Sequence, residues 1–467
     1  MTQAALDPTY MTVHALSAAI ADGSLTSADI VECCLQRIAT HDEKLHAFVT
    51  VYADEARLAA KAADQAIKSG HSLGPLHGIP IALKDIIDME GRITTGGSQV
   101  WRQRISPTTA TVAQRLIGAG MIVIGKTHSV EFAMGGWGTN THMGTPWNPW
   151  DLHTHRTPGG SSSGSGVAVA AGMVPAAIGT DTGGSVRLPA SYCGLAGLKT
   201  TVGRVSLHGI LPLSTTLDTP GPMTRSVEDT AMIYDAIQGH DPLWPPTLTH
   251  TAQSPFASMR RGVKGLRLAA ISGAERLGVD APTLAAFDAA QATLRALGAT
   301  ITAVEMPRPF TDFAAIAGRI IGAEGYRFVG NLADDDELPV DPNVRPRIQL
   351  GRDIKAHEYL DALAEKEAAK AEFDEIMQDF DALLLPSTET PAIPVAEADE
   401  GGTPARFTRA GNCLDLCALS LPNGMSPDGL PTSLQIACAG YDEAMALRIG
   451  WAFEQATDWH GKHPVFD

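Results

Sequence analysis

The stretch Thr157-Pro-Gly-Gly-Ser-Ser-Ser-Gly-Ser-Gly166 contains ten residues and no bulky side chain. Gly/Ser-rich runs of this kind are often flexible linkers. This one, however, leads directly into Val167-Ala-Val-Ala-Ala-Gly172, an apolar run that we expect to be buried as a helix or a strand. A small-residue loop that enters buried structure is more typical of anion or oxyanion binding, because small side chains let backbone N–H groups approach a ligand. We therefore predict a binding loop here.

The chain around this loop alternates short apolar runs with helical segments and Gly/Pro turns. Residues 281–297 have the pattern of a helix and Thr300–Glu305 that of a strand, with Gly298 between them. Strands that alternate with helices in this way predict an α/β fold, built as a sandwich around one large sheet. Other predicted strands cover residues 79–83, 121–124, 266–271 and 382–385.

A single domain over residues 1–467 is the preferred organisation, because the chain has no internal repeat and no second class of composition. Within this domain we expect three parts. They are an N-terminal helical segment of about 1–70, a catalytic core of about 71–235, and a variable region of about 305–412 that covers the substrate.

The bulk composition is that of a soluble globular protein, with 44% hydrophobic and 19% charged residues. The formal net charge of −17 argues against nucleic-acid binding, which normally needs a basic face. The N-terminus has no basic region followed by an apolar run, and no stretch reaches the roughly 18–20 apolar residues of a membrane span. We therefore predict a cytoplasmic protein that binds neither nucleic acid nor membranes, and we leave open a homodimer.

No cofactor and no metal are predicted. None of the six cysteines lies in a CxxC pair, and the H-x-H pair of His153 and His155 lacks a third ligand nearby. Gly120–Thr127 matches the phosphate-loop pattern G-x-x-x-x-G-K-[ST], but its four middle residues are themselves an apolar strand. A phosphate loop follows its strand and is flexible between the glycines, so Lys126 is expected to support the core or the active-site rim instead.

A second serine motif lies downstream of the Gly/Ser loop. Ser185 is 24 residues after Ser161 and follows Gly183 and Gly184. Two glycines before a serine let the chain turn sharply and leave consecutive backbone N–H groups free, which is the geometry of an oxyanion hole. Alone, this motif is a weak indication of an oxyanion hole. The Gly/Ser loop upstream makes the indication stronger.

Two kinds of base could activate Ser185. A Ser–His–Asp triad is compatible with the 15 histidines, but neither serine lies in a G-x-S-x-G elbow. The alternative is a buried lysine, whose ammonium form is disfavoured by desolvation so that it can be neutral near pH 7. Lys84 is the leading candidate because it follows the apolar strand Ile79–Leu83, although a lysine at a strand end is ordinarily a surface residue.

Three segments together resemble the amidase-signature family: Gly78-Ile-Pro-Ile-Ala-Leu-Lys-Asp85, Gly159-Gly-Ser-Ser162 and Gly179-Thr-Asp-Thr-Gly-Gly-Ser-Val-Arg-Leu-Pro189. Their order and the 24-residue spacing of the two serines match the pattern of that family. The resemblance covers almost the whole chain and includes Gly221–Asp229 and Gly429–Gln435. It implies a single large α/β/α sandwich with a central mixed β-sheet covered by helices.

The resemblance also implies a Ser–cis-Ser–Lys triad with a cis peptide bond at Gly160–Ser161. Ser185 would attack the amide carbonyl and become acylated. Ser161 would carry the proton to neutral Lys84 and later return it to the leaving amine, and water would release the acid. The oxyanion would be held by the backbone N–H groups of Thr182, Gly183, Gly184 and Ser185.

Three further residues match supporting positions of the active site in the family. Asp181 and Arg187 correspond to positions that hold the loop by hydrogen bonding, with an ordinary ion pair as an equal alternative. Ser162 is the third. The consecutive serines of the loop also leave Ser162 and Ser163 open for the bridging role, although the spacing favours Ser161.

Specificity is expected to come from the loops at residues 130–145, 308–352 and 385–412. For most side chains in these loops, packing in the core is the alternative to lining a pocket. The predicted pocket residues are Met134, Gly135, Trp137, Arg319 and Tyr326.

Three functions are compatible with this sequence. The first is a stand-alone amidase for small or aryl amides, with a small-molecule amide or carbamate as its only partner. The second is a carbamate (urethane) or allophanate-type hydrolase, because Asn412–Leu419 resembles the corresponding stretch of such enzymes. The third is the glutaminase subunit of a tRNA-dependent amidotransferase. The lack of an acidic residue near Arg406-Phe407, where a glutamine-binding carboxylate is expected, weakens the third.

Overall fold

The computed structural model describes residues 7–466, and one 11-stranded mixed sheet runs through them. The spatial order of the strands is β1-β3-β2-β4-β6-β5-β10-β11-β9-β7-β8. Neighbours pair in parallel within β3-β2-β4 and within β9-β7-β8, and antiparallel elsewhere. The strands are β1 (Phe48–Val51), β2 (Pro80–Lys84), β3 (Ile122–Thr127), β4 (Ala176–Asp181), β5 (Ala196–Lys199), β6 (Thr219–Thr224), β7 (Arg267–Ile271), β8 (Thr300–Val304), β9 (Ala382–Pro386), β10 (Cys417–Met425) and β11 (Pro431–Cys438).

Helices cover both faces of the sheet. In β2, Ile81 and Leu83 belong to one apolar cluster and Ala82 to the other. This alternation is the two-residue period of a strand that is buried on both sides. The helices are α1 (Val13–Asp22), α2 (Ser27–Leu45), α3 (Ala53–Lys68), α4 (Thr111–Gly118), α5 (Ser163–Ala170), α6 (Arg187–Cys193), α7 (Val227–Ile237), α8 (Ala281–Ala296), α9 (Phe310–Ala333), α10 (Arg345–Gln349), α11 (Ala356–Met377), α12 (Thr408–Cys413) and α13 (Glu443–Gln455).

The predicted α/β sandwich with a central mixed sheet is confirmed. One local expectation was wrong: residues 48–51, within the segment predicted to be helical, form the edge strand β1. Their sequence Phe-Val-Thr-Val consists of aromatic and β-branched residues, which fit a pleated sheet better than a helix. Strand β1 pairs antiparallel with β3.

The segment that resembles a phosphate loop contains strand β3, which occupies residues 122–127. Lys126 is buried, lies 3.5 Å from Asp85, and donates to the Ile87 carbonyl and the Thr94 hydroxyl. Lys126 thus supports the core beside the strand that ends at Lys84.

Within residues 7–466, no helix combines the length and the apolar character that crossing a membrane requires.

The sheet brings the predicted site residues together at strand ends. Strands β2 and β4 are parallel neighbours, so Lys84 and Asp181 end their strands at the same edge. Helix α5 starts just after Ser161, and α6 starts just after Ser185. Loops at the carboxyl ends of parallel strands are where α/β folds commonly place their sites.

Candidate active site

Lys84 is a fully buried lysine at the end of β2. Its ammonium group donates to the Ser161 hydroxyl at 2.7 Å and to the Thr180 hydroxyl at 2.9 Å. Burial lowers the pKa of Lys84 to about 7, and the charges of Asp218 and Asp181 partly oppose this. A substantial fraction of Lys84 is therefore neutral near pH 7, as a base must be.

The Gly/Ser loop is a packed part of the core, because all ten residues from Thr157 to Gly166 are buried. The Gly160–Ser161 peptide bond is cis. A Cβ at Gly160 would lie 2.7 Å from the Gly138 nitrogen and 2.8 Å from the Gly135 carbonyl, so no side chain fits there. These contacts exclude a flexible linker. The predicted binding role of this loop stays a prediction, because the amides of Gly159, Gly160 and Gly164 donate to the carbonyls of Trp137, Gly136 and His128.

The neighbouring serines have other environments. The Ser162 hydroxyl donates to the Thr180 carbonyl at 3.2 Å and accepts from the Thr180 amide at 3.3 Å. The Ser163 hydroxyl is buried without a hydrogen-bond partner in the described chain. Of the three serines, Ser161 is the one that is hydrogen-bonded to Lys84.

Asp181 anchors the turn that carries Ser185. Its carboxylate accepts from the amides of Gly184 at 2.8 Å and Val186 at 3.1 Å, and it forms a fully buried ion pair with Arg187 at 2.9 Å. Although burial opposes it, the charge of Arg187 holds the pKa of Asp181 well below its usual range. Asn412 completes the cluster, because its amide donates to Asp181 and its carbonyl accepts from Arg187.

The hydrogen bond from the Gly184 amide to Asp181 reduces the number of donors available in the predicted oxyanion hole. That amide is committed to a carboxylate, whereas the amides of Thr182, Gly183 and Ser185 have no intramolecular acceptor among the described residues. Gly184 itself must be glycine, since it has a φ of +137° and a Cβ would lie 2.3 Å from the Thr408 hydroxyl. Three of the four predicted donors thus stay free.

Two residues near Lys84 escaped the sequence analysis. Asp218 is buried, accepts from the Thr182 hydroxyl at 2.5 Å, and has a pKa raised by burial to about 6. The Thr180 hydroxyl contacts Lys84 directly. Thr180 lies within one of the segments that carry the family resemblance, whereas nothing in the local sequence marks Asp218.

We expect Asp181→Asn to lower the free energy of unfolding by about 3–5 kcal/mol, because it leaves the buried Arg187 charge without its partner. Chemical denaturation followed by circular dichroism measures this change. The matched control is Asp379→Asn, which breaks the exposed ion pair with Arg267 and should alter stability little. Equal effects of the two substitutions would contradict a structural role for Asp181.

A cavity of about 500 Å³ opens above Ser185, whose side chain forms part of its wall. The Ser185 hydroxyl has no hydrogen-bond partner among the described residues, and the residue is 8% exposed. Helix α9, the residues after α10 and the segment before α12 cover the cavity. The wall consists of Ala133, Met134, Gly135, Gly136, Thr182, Gly183, Ser185, Leu188, Leu213, Ala315, Gly318, Arg319, Ile321, Gly322, Arg347, Leu350, Ile354, Gly401, Gly402, Thr403, Ala405 and Arg409.

Three of the five predicted pocket residues, Met134, Gly135 and Arg319, line this cavity. Trp137 and Tyr326 do not. The Trp137 indole donates to the Asp399 carbonyl, and the Tyr326 hydroxyl donates to Asp334, so both polar groups are bound elsewhere. Arg347 and Arg409 line the cavity and were not predicted.

Comparisons with known proteins agree with this architecture. The family model described as Amidase matches residues 29–447. A glutamyl-tRNA(Gln) amidotransferase subunit from Chloroflexus aggregans is 37% identical, over 97% of this chain and 98% of that protein.

Solved structures are similar over comparable lengths. One, from a study of a vestigial protein complex and the origins of an s-triazine catabolic enzyme, is 32% identical with a TM-score of 0.89, over 95% of this chain and 98% of that one. The peptide amidase of Stenotrophomonas maltophilia is 29% identical with a TM-score of 0.86, over 98% and 99%.

These relatives contradict one expectation from the sequence. We expected a small molecule as the only partner, no nucleic acid and at most a homodimer. A relative named as one subunit of a glutamyl-tRNA(Gln) amidotransferase has, by that name, other subunits and a tRNA. The net charge of −17 is a sum over the whole chain, so it does not describe the charge of any one local surface or exclude a partner there.

The family model spans most of the chain, the relatives match nearly end to end, and the turn that carries Ser185 lines one cavity. The chain belongs to the amidase family and is an enzyme that acts on amide C–N bonds.

Proposed function

We propose that this chain is the amide-hydrolysing component of an amidotransferase with several subunits and that it releases ammonia from glutamine. The observation that carries this proposal is the match to the amidotransferase subunit of Chloroflexus aggregans, which extends over almost the full length of both proteins. It replaces the stand-alone amidase that the sequence analysis placed first.

The proposed reaction begins at Ser185. Its hydroxyl attacks the carboxamide carbon, and the proton passes through the Ser161 hydroxyl to neutral Lys84. The C–N bond then breaks as the proton returns to the leaving nitrogen, and water hydrolyses the seryl ester. The 2.7 Å contact between Lys84 and Ser161 and the pKa of Lys84 near 7 support this route.

The amides of Thr182, Gly183 and Ser185 are proposed to hold the oxyanion. Their freedom from intramolecular acceptors supports this assignment, because donors at a developing charge must be preorganised and unoccupied. In this proposal Asp181 and Arg187 position the turn and take no part in the chemistry.

A second candidate function is the hydrolysis of an anionic, urea-derived amide of the allophanate type. One specific observation favours it. The described residues of the cavity wall include no aspartate or glutamate, so nothing there would balance the α-ammonium group of glutamine. The same serine chemistry would apply to either substrate.

Purified chain incubated with glutamine should release ammonia and glutamate in equal amounts, as an enzyme-coupled ammonia assay and chromatography can measure. Ser185→Ala is the negative control and should release neither product above background. Ammonia release from allophanate with none from glutamine would reject the first proposal in favour of the second. Cleavage of neither substrate, by the chain alone or by the chain assembled with the other subunits of the amidotransferase, would contradict both.

A further inference from the structure

Arg409 is a cation that the proposed reaction does not use, and it lies beside the loop that carries Ser185. It is in the first turn of α12 and lines the cavity. A Cβ placed at Gly183 would lie 3.3 Å from Cγ and 3.6 Å from Nε of Arg409. A Cβ at Gly318 of α9 would lie 3.7 Å from Nη1. The guanidinium therefore lies between the proposed oxyanion loop and the helix that covers the cavity.

The other two arginines of the cavity wall have carboxylate partners. Arg347 is 3.0 Å from Glu400, and Arg319 pairs with Glu365. Arg409 forms no ion pair with any described carboxylate, and the one hydrogen bond of its side chain within the described chain is donated to the Ala314 carbonyl at 3.3 Å. Among the described wall residues, Arg409 is thus the cation whose charge is not balanced.

An unbalanced guanidinium in a half-buried position is costly, because it stays protonated at any physiological pH and has lost part of its hydration. Burial and the nearby Arg347 both disfavour its charged form, and they lower its pKa. Such a cost is offset when an anion occupies the cavity. The planar fork of arginine fits a carboxylate with two parallel hydrogen bonds, which makes carboxylate the matching ligand group.

We propose that Arg409 binds a carboxylate of the substrate while the carboxamide of the same molecule reaches Ser185. The substrate class is then a short amide that also bears a carboxylate. This inference rests on the proposed function, because it assumes that Ser185 attacks the amide. Gly183 and Gly318 leave the space beside the guanidinium open for the carboxylate.

Two sources can supply this carboxylate: the α-carboxylate of glutamine, or the carboxylate of a urea-derived amide without an α-ammonium group. Glutaric acid monoamide separates them, since it is glutamine without the amino group. A strong preference for glutamine over glutaric acid monoamide would assign the carboxylate to an amino acid. A strong preference for the monoamide would assign it to a substrate without the ammonium group.

The test compares kcat/KM for glutaric acid monoamide with kcat/KM for pentanamide, which has the same chain length and no carboxylate. We expect Arg409→Met to lower this ratio roughly 10- to 100-fold, mainly through KM for the monoamide. Arg409→Lys should restore part of the ratio, because lysine keeps the positive charge but lacks the planar guanidinium that can donate two parallel hydrogen bonds. The matched control is Arg327→Met, on the exposed side of the same covering helix, which should leave the ratio at the wild-type value.

A ratio that is unchanged in Arg409→Met would overturn the inference while leaving amide hydrolysis intact. Calorimetry with glutarate, the product, tests the site without catalysis. We expect at least 10-fold weaker binding to Arg409→Met than to the wild type and to Arg327→Met. If the wild type cleaved none of these amides but bound glutarate through Arg409, the proposed function would fail, and of this inference only the binding of a carboxylate by Arg409 would stand.

Discussion

Replacing Ser185 with alanine should abolish the covalent acyl-enzyme and lower amide hydrolysis by at least about 10³-fold. The physical reason is that the hydroxyl at the base of the cavity is the atom proposed to form the ester. An alanine leaves the oxyanion donors and the cavity in place, and these alone give only weak catalysis. Intact-protein mass spectrometry after brief incubation with substrate detects the adduct, and initial rates measure the loss.

Ser163→Ala is the matched control for this prediction, because it removes a serine hydroxyl from the neighbouring Gly/Ser loop without touching Lys84. That hydroxyl is buried and has no hydrogen-bond partner in the described chain. We expect Ser163→Ala to form the adduct and to keep most of its activity. An adduct that persists in Ser185→Ala, or that disappears in Ser163→Ala, would refute the assignment of the nucleophile.

Contiguous sequence segments, together with the family resemblance that they carry, predicted the residues of the candidate site that lie within those segments. Lys84 follows its own strand, and Ser161 and Ser185 lie in glycine-rich loops whose composition already indicates close backbone packing. The 24-residue interval between the serines contains α5 and β4, so the interval itself is a helix and a strand that return the chain to the same edge of the sheet. The spacing of the two serines therefore indicated that they lie at the same edge of the sheet.

Residues that reach the site through tertiary structure were not predictable in this way. Asp218 meets Thr182 because β6 pairs with β4, and Asn412 meets Asp181 because α12 packs beside the turn. Arg409 is one turn before Asn412 on that short helix, and no local pattern distinguishes it from a surface arginine. Arg409 stands out only because no described carboxylate pairs with it in the cavity, and this depends on the folded structure.

The pocket residues illustrate the same limit. Tyr326 and Arg319 share helix α9, yet only Arg319 faces the cavity. They are seven residues apart, close to two full turns, and so lie on similar sides of the helix at different heights. The height at which the cavity meets the helix is set by the packing of α9 against α10, α11 and α12, which the sequence of α9 alone does not determine.

The pH dependence of catalysis should identify Lys84 as the base. With a pKa near 7, the neutral form becomes dominant as the pH rises through 7, so kcat/KM should increase with pH and level off above about pH 8. On the acidic side, kcat/KM should fall about tenfold per pH unit. Lys84→Met should lose at least about 10³-fold in turnover at pH 7 and should lack this acid limb.

A second buried lysine provides the control. Lys199 also has a pKa lowered by burial, to about 8, but it donates to the carbonyls of Thr200 and Leu416 and has no hydrogen bond to a serine of the described chain. Lys199→Met should therefore keep an acid limb near pH 7, whatever it does to stability. Near-normal turnover by Lys84→Met, or loss of the acid limb in Lys199→Met, would reject Lys84 as the base.

Stability measurements separate a catalytic role of Lys84 from a structural one. Its pKa is about 7 in the folded protein and ordinarily 10.5, so the unfolded chain binds more protons between these values and stability rises with pH across that window. Below pH 7 the burial of this lysine costs the folded state about 5 kcal/mol at most. Lys84→Met removes that cost and gives up the hydrogen bonds to Ser161 and Thr180. We therefore expect an inactive variant that unfolds at the same or a higher denaturant concentration than the wild type at pH 7. This result would indicate that Lys84 serves catalysis through Ser161 and does not stabilise the fold.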